Sequence, residues 1–214
     1  MTRSRDELIR SLSGDLTPVR RLAPSYAAAP AWLAASLLFV ALATLGSGPL
    51  RPGALAQLVT QPGCALAVLL GALASALAIA GLLRLRSPGP ATGLRSSVPA
   101  AVLLAAWAAL QLLELLVRHE SASTLGARAL CWLQVLLFSA PPLVAALWLA
   151  RRAAPLEREW TGLLAGLAAG ALPALAMQLA CMDEPAHVLV AHLSPVLLVA
   201  GVGAWLGRLV LRRL

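Results

Sequence analysis

The sequence predicts an all-α, polytopic membrane protein: a six-transmembrane-helix bundle preceded by a short cytoplasmic N-terminal amphipathic helix. Composition gives the first indication, because 60% of the 214 residues are apolar, 12% are charged, and the mean hydropathy is +0.83. A soluble domain of this size cannot bury so much apolar surface, and exposing it to water would cause aggregation. The other two indications are six long apolar stretches and the uneven distribution of arginine along the chain.

The N-terminal tail, residues 1–26, is predicted to begin with a short helix. Ser4 and Glu7 have the spacing of a capping box, in which both side chains accept hydrogen bonds from backbone N–H groups. Gly14 and Pro18 are expected to end this helix. One face carries an apolar stripe formed by Leu8, Ile9 and Leu12. A helix of about ten residues is marginal in water. We therefore expect the stripe to be covered, either by a groove on a partner protein or by the membrane surface.

Six apolar stretches follow, each long enough to cross a bilayer, which takes about 20 residues. They cover approximately residues 27–46, 63–83, 98–117, 129–150, 160–180 and 193–211, and residues 212–214 form a cytoplasmic C-terminus. The first stretch is expected to be a retained span, because a polar segment precedes it and no cleavable signal peptide is visible. Gly162, Gly166 and Gly170 form a small-residue stripe on the fifth span. Such a stripe fits close packing within one chain or a dimer contact, and the sequence leaves the oligomeric state open.

The orientation follows from the arginines, which supply all 17 basic residues. With the N-terminus in the cytoplasm, fourteen arginines lie on the cytoplasmic side of the predicted spans and three on the outer side. The outer three are Arg51, Arg118 and Arg128. Positive charge is retained on the cytoplasmic side of membrane proteins, so both termini are predicted to be cytoplasmic. Topology thus explains the net charge of +8, and no direct contact with nucleic acid is predicted.

With this topology, all the cysteines and histidines lie on the outer side. Cys131 begins the fourth span, Cys181 ends the fifth, and Asp183, His187 and His192 follow in or beside the last outer loop. Thiol, imidazole and carboxylate groups are ligands of soft or borderline metal ions, with Cys131, Cys181 and His187 as the candidate ligands. Two thiols alone also suffice for a redox switch in an oxidising compartment. A structural role, with cysteine as apolar filler and histidine solvated, is the third interpretation. No closed zinc motif is present, so neither a metal nor another cofactor is specified.

Several motifs occur in a fixed order along the chain. They are Asp6-Glu-Leu8-Ile9 with Leu12 and Asp15-Leu16-x-Pro18-Val19, Cys131-Trp-Leu, Arg151-Arg-Ala-Ala-Pro155, the Gly162/Gly166/Gly170 stripe, Cys181-x-Asp183-Glu184 and Gly203-x-x-x-Gly207-Arg208. Together, over nearly the whole chain, they make it resemble the NrsF-type membrane anti-sigma factors, negative regulators of extracytoplasmic-function (ECF) sigma factors in bacteria.

The resemblance implies a regulator in the bacterial inner membrane rather than an enzyme. Its tail would bind an ECF sigma factor and hold it inactive, through partner-binding residues Asp6, Leu8, Ile9, Leu12, Asp15 and Leu16. A thiol-reactive, metal or oxidative signal on the periplasmic side would be read through Cys131 and Cys181. The residues expected to assist them are Asp183, His187 and His192.

Two other functions are alternatives to this interpretation. A membrane thiol oxidoreductase would also carry cysteines at the outer face, but it needs a reactive pair, often C-x-x-C, and a site for an electron acceptor. A small transporter would carry ionisable residues near the middle of the bilayer. Neither pattern is evident in the sequence.

Overall fold

The structure is a computed structural model that describes residues 4–14, 25–86, 92–117, 126–153 and 155–211. All regular structure among these residues is helical, and six of their helices are long and apolar enough to cross a membrane. The predicted fold class, an all-α bundle of six membrane-spanning helices, is confirmed.

The helices are numbered in chain order. Their bounds are α1 Arg5–Gly14, α2 Ser25–Gly46, α3 Ala54–Thr60, α4 Pro62–Leu85, α5 Gly93–Val117, α6 Cys131–Arg151, α7 Arg158–Ala180, α8 Pro185–His187 and α9 Ser194–Val210, with a π-helical segment at Val188–Leu193 joining α8 to α9. The six candidate spans are Ala27–Gly46, α4, α5, α6, α7 and the continuous helical run Pro185–Val210.

Two spans begin at least five residues earlier than the apolar stretches indicate, at Gly93 rather than 98 and at Pro185 rather than 193. Helix α5 starts at Gly93, where the backbone N–H donates to the Glu157 carboxylate at 2.7 Å, so its polar first turn lies outside the apolar stretch. The last span starts at Pro185, so His187 and His192 lie in helical turns and not in a loop. The short helix α3 was not predicted. Hydropathy marks where a helix is apolar, whereas caps decide where it begins.

The six long helices alternate in direction and give the bundle two ends. At one, which we call the cysteine end, Cys131 at the start of α6 meets Cys181 just after α7. At the other, the arginine end, Arg208 near the end of α9 forms an ion pair with Glu159 in the first turn of α7. Most arginines of the described residues lie at the arginine end: Arg84, Arg86, Arg95, Arg151, Arg152, Arg158 and Arg208.

Helix α7 is the centre of the bundle. It contacts α2, α4, α5, α6 and α9, and most of its residues are buried. The predicted glycine stripe packs against α9 of the same chain: a Cβ at Gly166 would lie 2.6 Å from Ala200 Cα, and one at Gly162 would lie 2.9 Å from Gly207 Cα. Only residues without a side chain allow backbones to approach this closely. The stripe therefore serves packing inside the chain.

Helix α2 is joined to α6 by a buried hydrogen bond. The Trp32 indole donates to the carbonyl of Pro142 at 3.1 Å. Pro142 and Pro141 lie within α6, which continues through both of them. Proline supplies no backbone N–H, so the helix lacks two of its internal hydrogen bonds at this point. The contact thus joins α2 to the part of α6 with the weakest internal bonding.

Helix α1 packs against no other helix of the described residues. The Ser4 hydroxyl accepts from the Glu7 backbone N–H at 3.3 Å, which confirms the predicted N-terminal cap. All residues of α1 are exposed, including Leu8, Ile9 and Leu12 of the apolar stripe. Asp6 lies in its first turn. The other two predicted partner-binding residues, Asp15 and Leu16, lie outside the described residues.

Candidate functional site

The candidate site lies at the cysteine end, where Cys131 and Cys181 form a disulfide. Cys131 is the first residue of α6, and Cys181 directly follows the last residue of α7. Their Cα atoms are 7.0 Å apart, and both residues are buried. The bond therefore links two neighbouring helices of the bundle across 50 positions of sequence.

Two histidines from the start of the last span face this pair. His187 Nε2 lies 3.3 Å from Cys181 Sγ. The rings of His187 and His192 are in edge-to-face contact, with their centroids 5.2 Å apart. We call Cys131, Cys181, His187 and His192 the sulfur–imidazole cluster, because one donor atom from each lies within 4.8 Å of the others.

Local capping places His187. Pro185 occupies the first turn of α8, and the Glu184 side chain is the N-cap, with its carboxylate accepting from Ala186 N at 3.1 Å and from His187 N at 2.5 Å. Glu184 thus holds the backbone of the histidine in place. This agrees with the preference for an acidic cap and a following proline at a helix start.

The π-helical segment places His192. In an α-helix, residues five apart point about 140° away from each other, given 3.6 residues per turn. A π-helix pairs residue i with i+5, so such residues lie about one turn apart on the same side. The segment Val188–Leu193 therefore brings His192 round to face His187.

His192 is fully buried, and neither of its ring nitrogens has a hydrogen-bond partner among the described residues. Burying an imidazole without partners carries a desolvation cost of about 1–3 kcal/mol. An unpaired buried polar group is rare in folded proteins and calls for a physical explanation. Here the ring lies within 4.8 Å of the sulfur atoms.

Two arginines hold the loops at the cysteine end in place. Arg51, which is buried, donates to the Gln57 side chain at 2.5 Å, lies 3.8 Å from the Asp183 carboxylate, and donates its backbone N–H to the carbonyl of Leu179. These contacts anchor the connection between α2 and α3 to the end of α7. The predicted site residue Asp183 is therefore placed beside the cluster, paired with an arginine.

Arg128 joins the loop before α6 to the loop between α2 and α3. It donates to Ser47 Oγ at 2.9 Å and to the carbonyl of Pro49 at 2.6 Å. Burial lowers the pKa of its guanidinium from the usual value. Both described arginines of the cysteine end thus make specific loop contacts. These contacts give each of the two described arginines a structural reason for lying at this end of the bundle.

Sequence reasoning identified all four cluster residues but missed part of their surroundings. The Trp132 indole donates to Ser194 Oγ at 3.1 Å, which links the start of α6 to the start of α9 beside the cluster. The π-helical segment has no sequence signal that distinguishes it from an α-helix. Cys64 lies in the first turn of α4, outside the cluster.

One comparison with known proteins identifies a family. A family model described as NrsF, negative regulator of sigma F, matches residues 12–212. No curated protein and no solved structure matches the chain.

Proposed function

The chain belongs to the NrsF family of negative regulators of sigma F, and from this premise we propose that it is an anti-sigma factor of the bacterial inner membrane. In this proposal its cytoplasmic tail, residues 1–26, holds an ECF sigma factor inactive. Residues 27–211 form the transmembrane sensor, which releases the factor when its periplasmic thiols react. The observation that carries the sensor part is the meeting of Cys131 and Cys181 between α6 and α7.

The distribution of charge supports cytoplasmic termini. The described arginines of the bundle concentrate at the arginine end, where α2 begins and α9 ends. The two at the cysteine end, Arg51 and Arg128, are held in loop contacts. By the positive-inside rule, the arginine end faces the cytoplasm and the sulfur–imidazole cluster faces the periplasm.

The exposure of α1 supports the proposal that this helix binds the sigma factor. Its apolar stripe is not covered by any other described helix, and a ten-residue helix gains little stability alone. An amphipathic helix of this kind binds by laying its apolar face into a groove of a partner. The sigma factor supplies that groove, and its contact with the tail prevents it from joining RNA polymerase.

The sensing step in this proposal is oxidation of the two thiols. A peroxide takes two electrons from them, the S–S bond forms, and the peroxide O–O bond is reduced to an alcohol and water with the two thiol protons. Both sulfurs come from helix termini, so forming the bond fixes the start of α6 against the end of α7. Other thiol-reactive agents or a metal ion would act on the same two atoms.

The route to the tail runs through α6 and α2. Oxidation changes the position of Cys131 at the start of α6, and the Trp32–Pro142 hydrogen bond joins α6 to α2, which directly follows the tail. A signal alters capture only when two arrangements of the bundle differ in affinity for the sigma factor. A tenfold loss of affinity needs about 1.4 kcal/mol of such coupling.

The test uses a reporter gene that depends on the sigma factor, together with three variants of the full chain. Replacing both Cys131 and Cys181 with serine should abolish induction by peroxide, whereas Cys64→Ser, a thiol outside the cluster, should induce as the wild type does. Deleting residues 1–20 should give constitutive reporter activity with the protein still inserted in the membrane. Normal induction in the double serine variant contradicts the thiol sensor, and continued repression by the truncated chain contradicts capture by the tail.

A further inference from the structure

We propose that the reduced sulfur–imidazole cluster is a binding site for one Zn²⁺ ion, with Cys131, Cys181, His187 and His192 as its four ligands. Disulfide formation and zinc binding are then alternative states of one site. The binding part of this inference stands on the geometry of the cluster. Its regulatory part rests on the proposed function.

The donor atoms lie close to the spacing that a tetrahedral ion requires once the disulfide is opened. Zinc binds cysteine sulfur at about 2.3 Å and histidine nitrogen at about 2.0–2.1 Å, so neighbouring donors in a tetrahedron lie about 3.3–3.8 Å apart. Cys181 Sγ and His187 Nε2 are already 3.3 Å apart, and the four donors lie within 4.8 Å of one another. Two thiolates and two imidazoles are also a donor set typical of structural zinc sites.

His192 points independently to a ligand. It is fully buried, and neither ring nitrogen has a hydrogen-bond partner among the described residues. A bound ion would take one nitrogen as a ligand and thereby offset part of the desolvation cost of burying the ring. Redox chemistry of the cysteines requires no histidine at this position, so the thiol switch alone leaves His192 unexplained.

Charge favours a divalent ion in this position. Zinc binding displaces the two thiol protons, and the resulting thiolates balance the charge of the ion in a buried site. The two acidic residues that follow Cys181 in the chain are engaged elsewhere, since Asp183 faces Arg51 and Glu184 caps α8. The cluster is therefore neutral when loaded, and a neutral site carries a lower desolvation cost than an isolated charge.

The two states exclude each other. In a disulfide the sulfur atoms are about 2.05 Å apart and neither is a thiolate, whereas a tetrahedral zinc site holds them about 3.8 Å apart. A peroxide acting on the loaded site would take two electrons from the thiolates and two protons (H⁺) from the buffered solution. The products are the disulfide, an alcohol, water and free Zn²⁺. The bound ion would thus keep the thiols reduced until an oxidant expels it.

Cobalt and zinc titrations of the purified full chain test the site. In detergent micelles, after reduction with a phosphine, the chain should bind one equivalent of Co²⁺ with tetrahedral d–d absorption and a thiolate-to-cobalt charge-transfer band, and Zn²⁺ should displace it. The same preparation oxidised to the disulfide should bind none. Absence of the charge-transfer band in the reduced chain, or equal binding by the oxidised chain, overturns the proposal. Because both states use the wild-type chain, misfolding of a variant cannot decide the outcome.

Variants then test the ligand set. His192→Gln should lower zinc affinity at least about 100-fold, since even an outer-shell partner is worth about 10- to 100-fold, and Cys64→Ser should leave it unchanged. Formation of the Cys131–Cys181 disulfide, followed by gel shift, verifies that the His192 variant is folded. A folded variant with unchanged affinity would contradict the assignment of His192. In the same preparations, zinc binding without capture of the sigma factor contradicts only the proposed function, and capture without zinc binding contradicts only the metal site.

Discussion

The apolar stripe of α1 gives the sharpest prediction about capture. We propose replacing Leu8 and Leu12 together by alanine, which preserves or improves helix propensity. In the structure these side chains are 47% and 63% exposed. Fully burying a leucine contributes about 1.5–3 kcal/mol, so burying the part that is still exposed contributes about half of that per residue. Alanine retains a fraction of the contact, and we expect the dissociation constant for the sigma factor to rise about 10- to 100-fold.

The measurement is a titration of labelled sigma factor with the full-length protein in lipid nanodiscs, followed by fluorescence anisotropy at fixed salt. Arg10→Gln is the matched control, because position 10 lies on the opposite face of α1 from Leu8 and Leu12. This control should bind within about twofold of the wild type if the apolar stripe carries the contact. A double alanine variant that binds as tightly as the wild type would refute the reasoning. Equal losses in both variants would indicate that both faces of α1, and not the stripe alone, carry the contact.

Three further predictions concern the bundle. Gly166→Ala should destabilise the protein by about 1–3 kcal/mol, because the added methyl group overpacks against α9. Gly201→Ala is the control and should not destabilise it, because nothing lies within 4 Å of the added Cβ. Thermal unfolding in detergent measures both variants. Trp32→Phe removes the hydrogen bond to Pro142, worth about 1 kcal/mol, and should reduce the oxidation-dependent change in sigma-factor affinity about fivefold; an unchanged response argues against this route. Arg128→Gln should lower the melting temperature by loosening the loops at the cysteine end, with insertion unchanged, and an unaltered melting temperature would show that its hydrogen bonds contribute little.

Sequence patterns predicted the architecture well because their physical causes are local. A membrane span needs about 20 apolar residues, and each of the six stretches satisfies that requirement alone. The N-terminal cap of α1 could be predicted for the same reason, since Ser4 and Glu7 are three residues apart and need no tertiary partner. Helix starts that depend on distant groups were missed. Gly93, for example, is capped by the carboxylate of Glu157 from a different part of the chain.

The site was predicted in its composition but not in its geometry. Residue types at the predicted outer side identified Cys131, Cys181, His187 and His192, yet the sequence left metal, redox and structural roles open. Two facts distinguish the structure from that expectation: a π-helical segment turns His192 towards His187, and Arg51 takes Asp183 as its partner. Both depend on packing between segments that are far apart in sequence, which hydropathy and spacing do not encode.

The rigidity of the helices indicates which of them responds when the cluster changes state. Helix α7 lacks one internal hydrogen bond at Pro173, but most of its residues are buried and its Gly162, Gly166 and Gly170 pack closely on α9. The Glu159–Arg208 pair also joins the ends of these two helices that lie away from the cluster. Helix α6 has fewer internal hydrogen bonds, since Pro141 and Pro142 donate none. A zinc site holds the two sulfurs roughly 1.7 Å farther apart than a disulfide does. We therefore expect α6 to make most of the movement between the two states and to transmit it to α2 through Trp32. If the movement followed α7 instead, the glycine contacts would have to open and Trp32→Phe would leave the response intact.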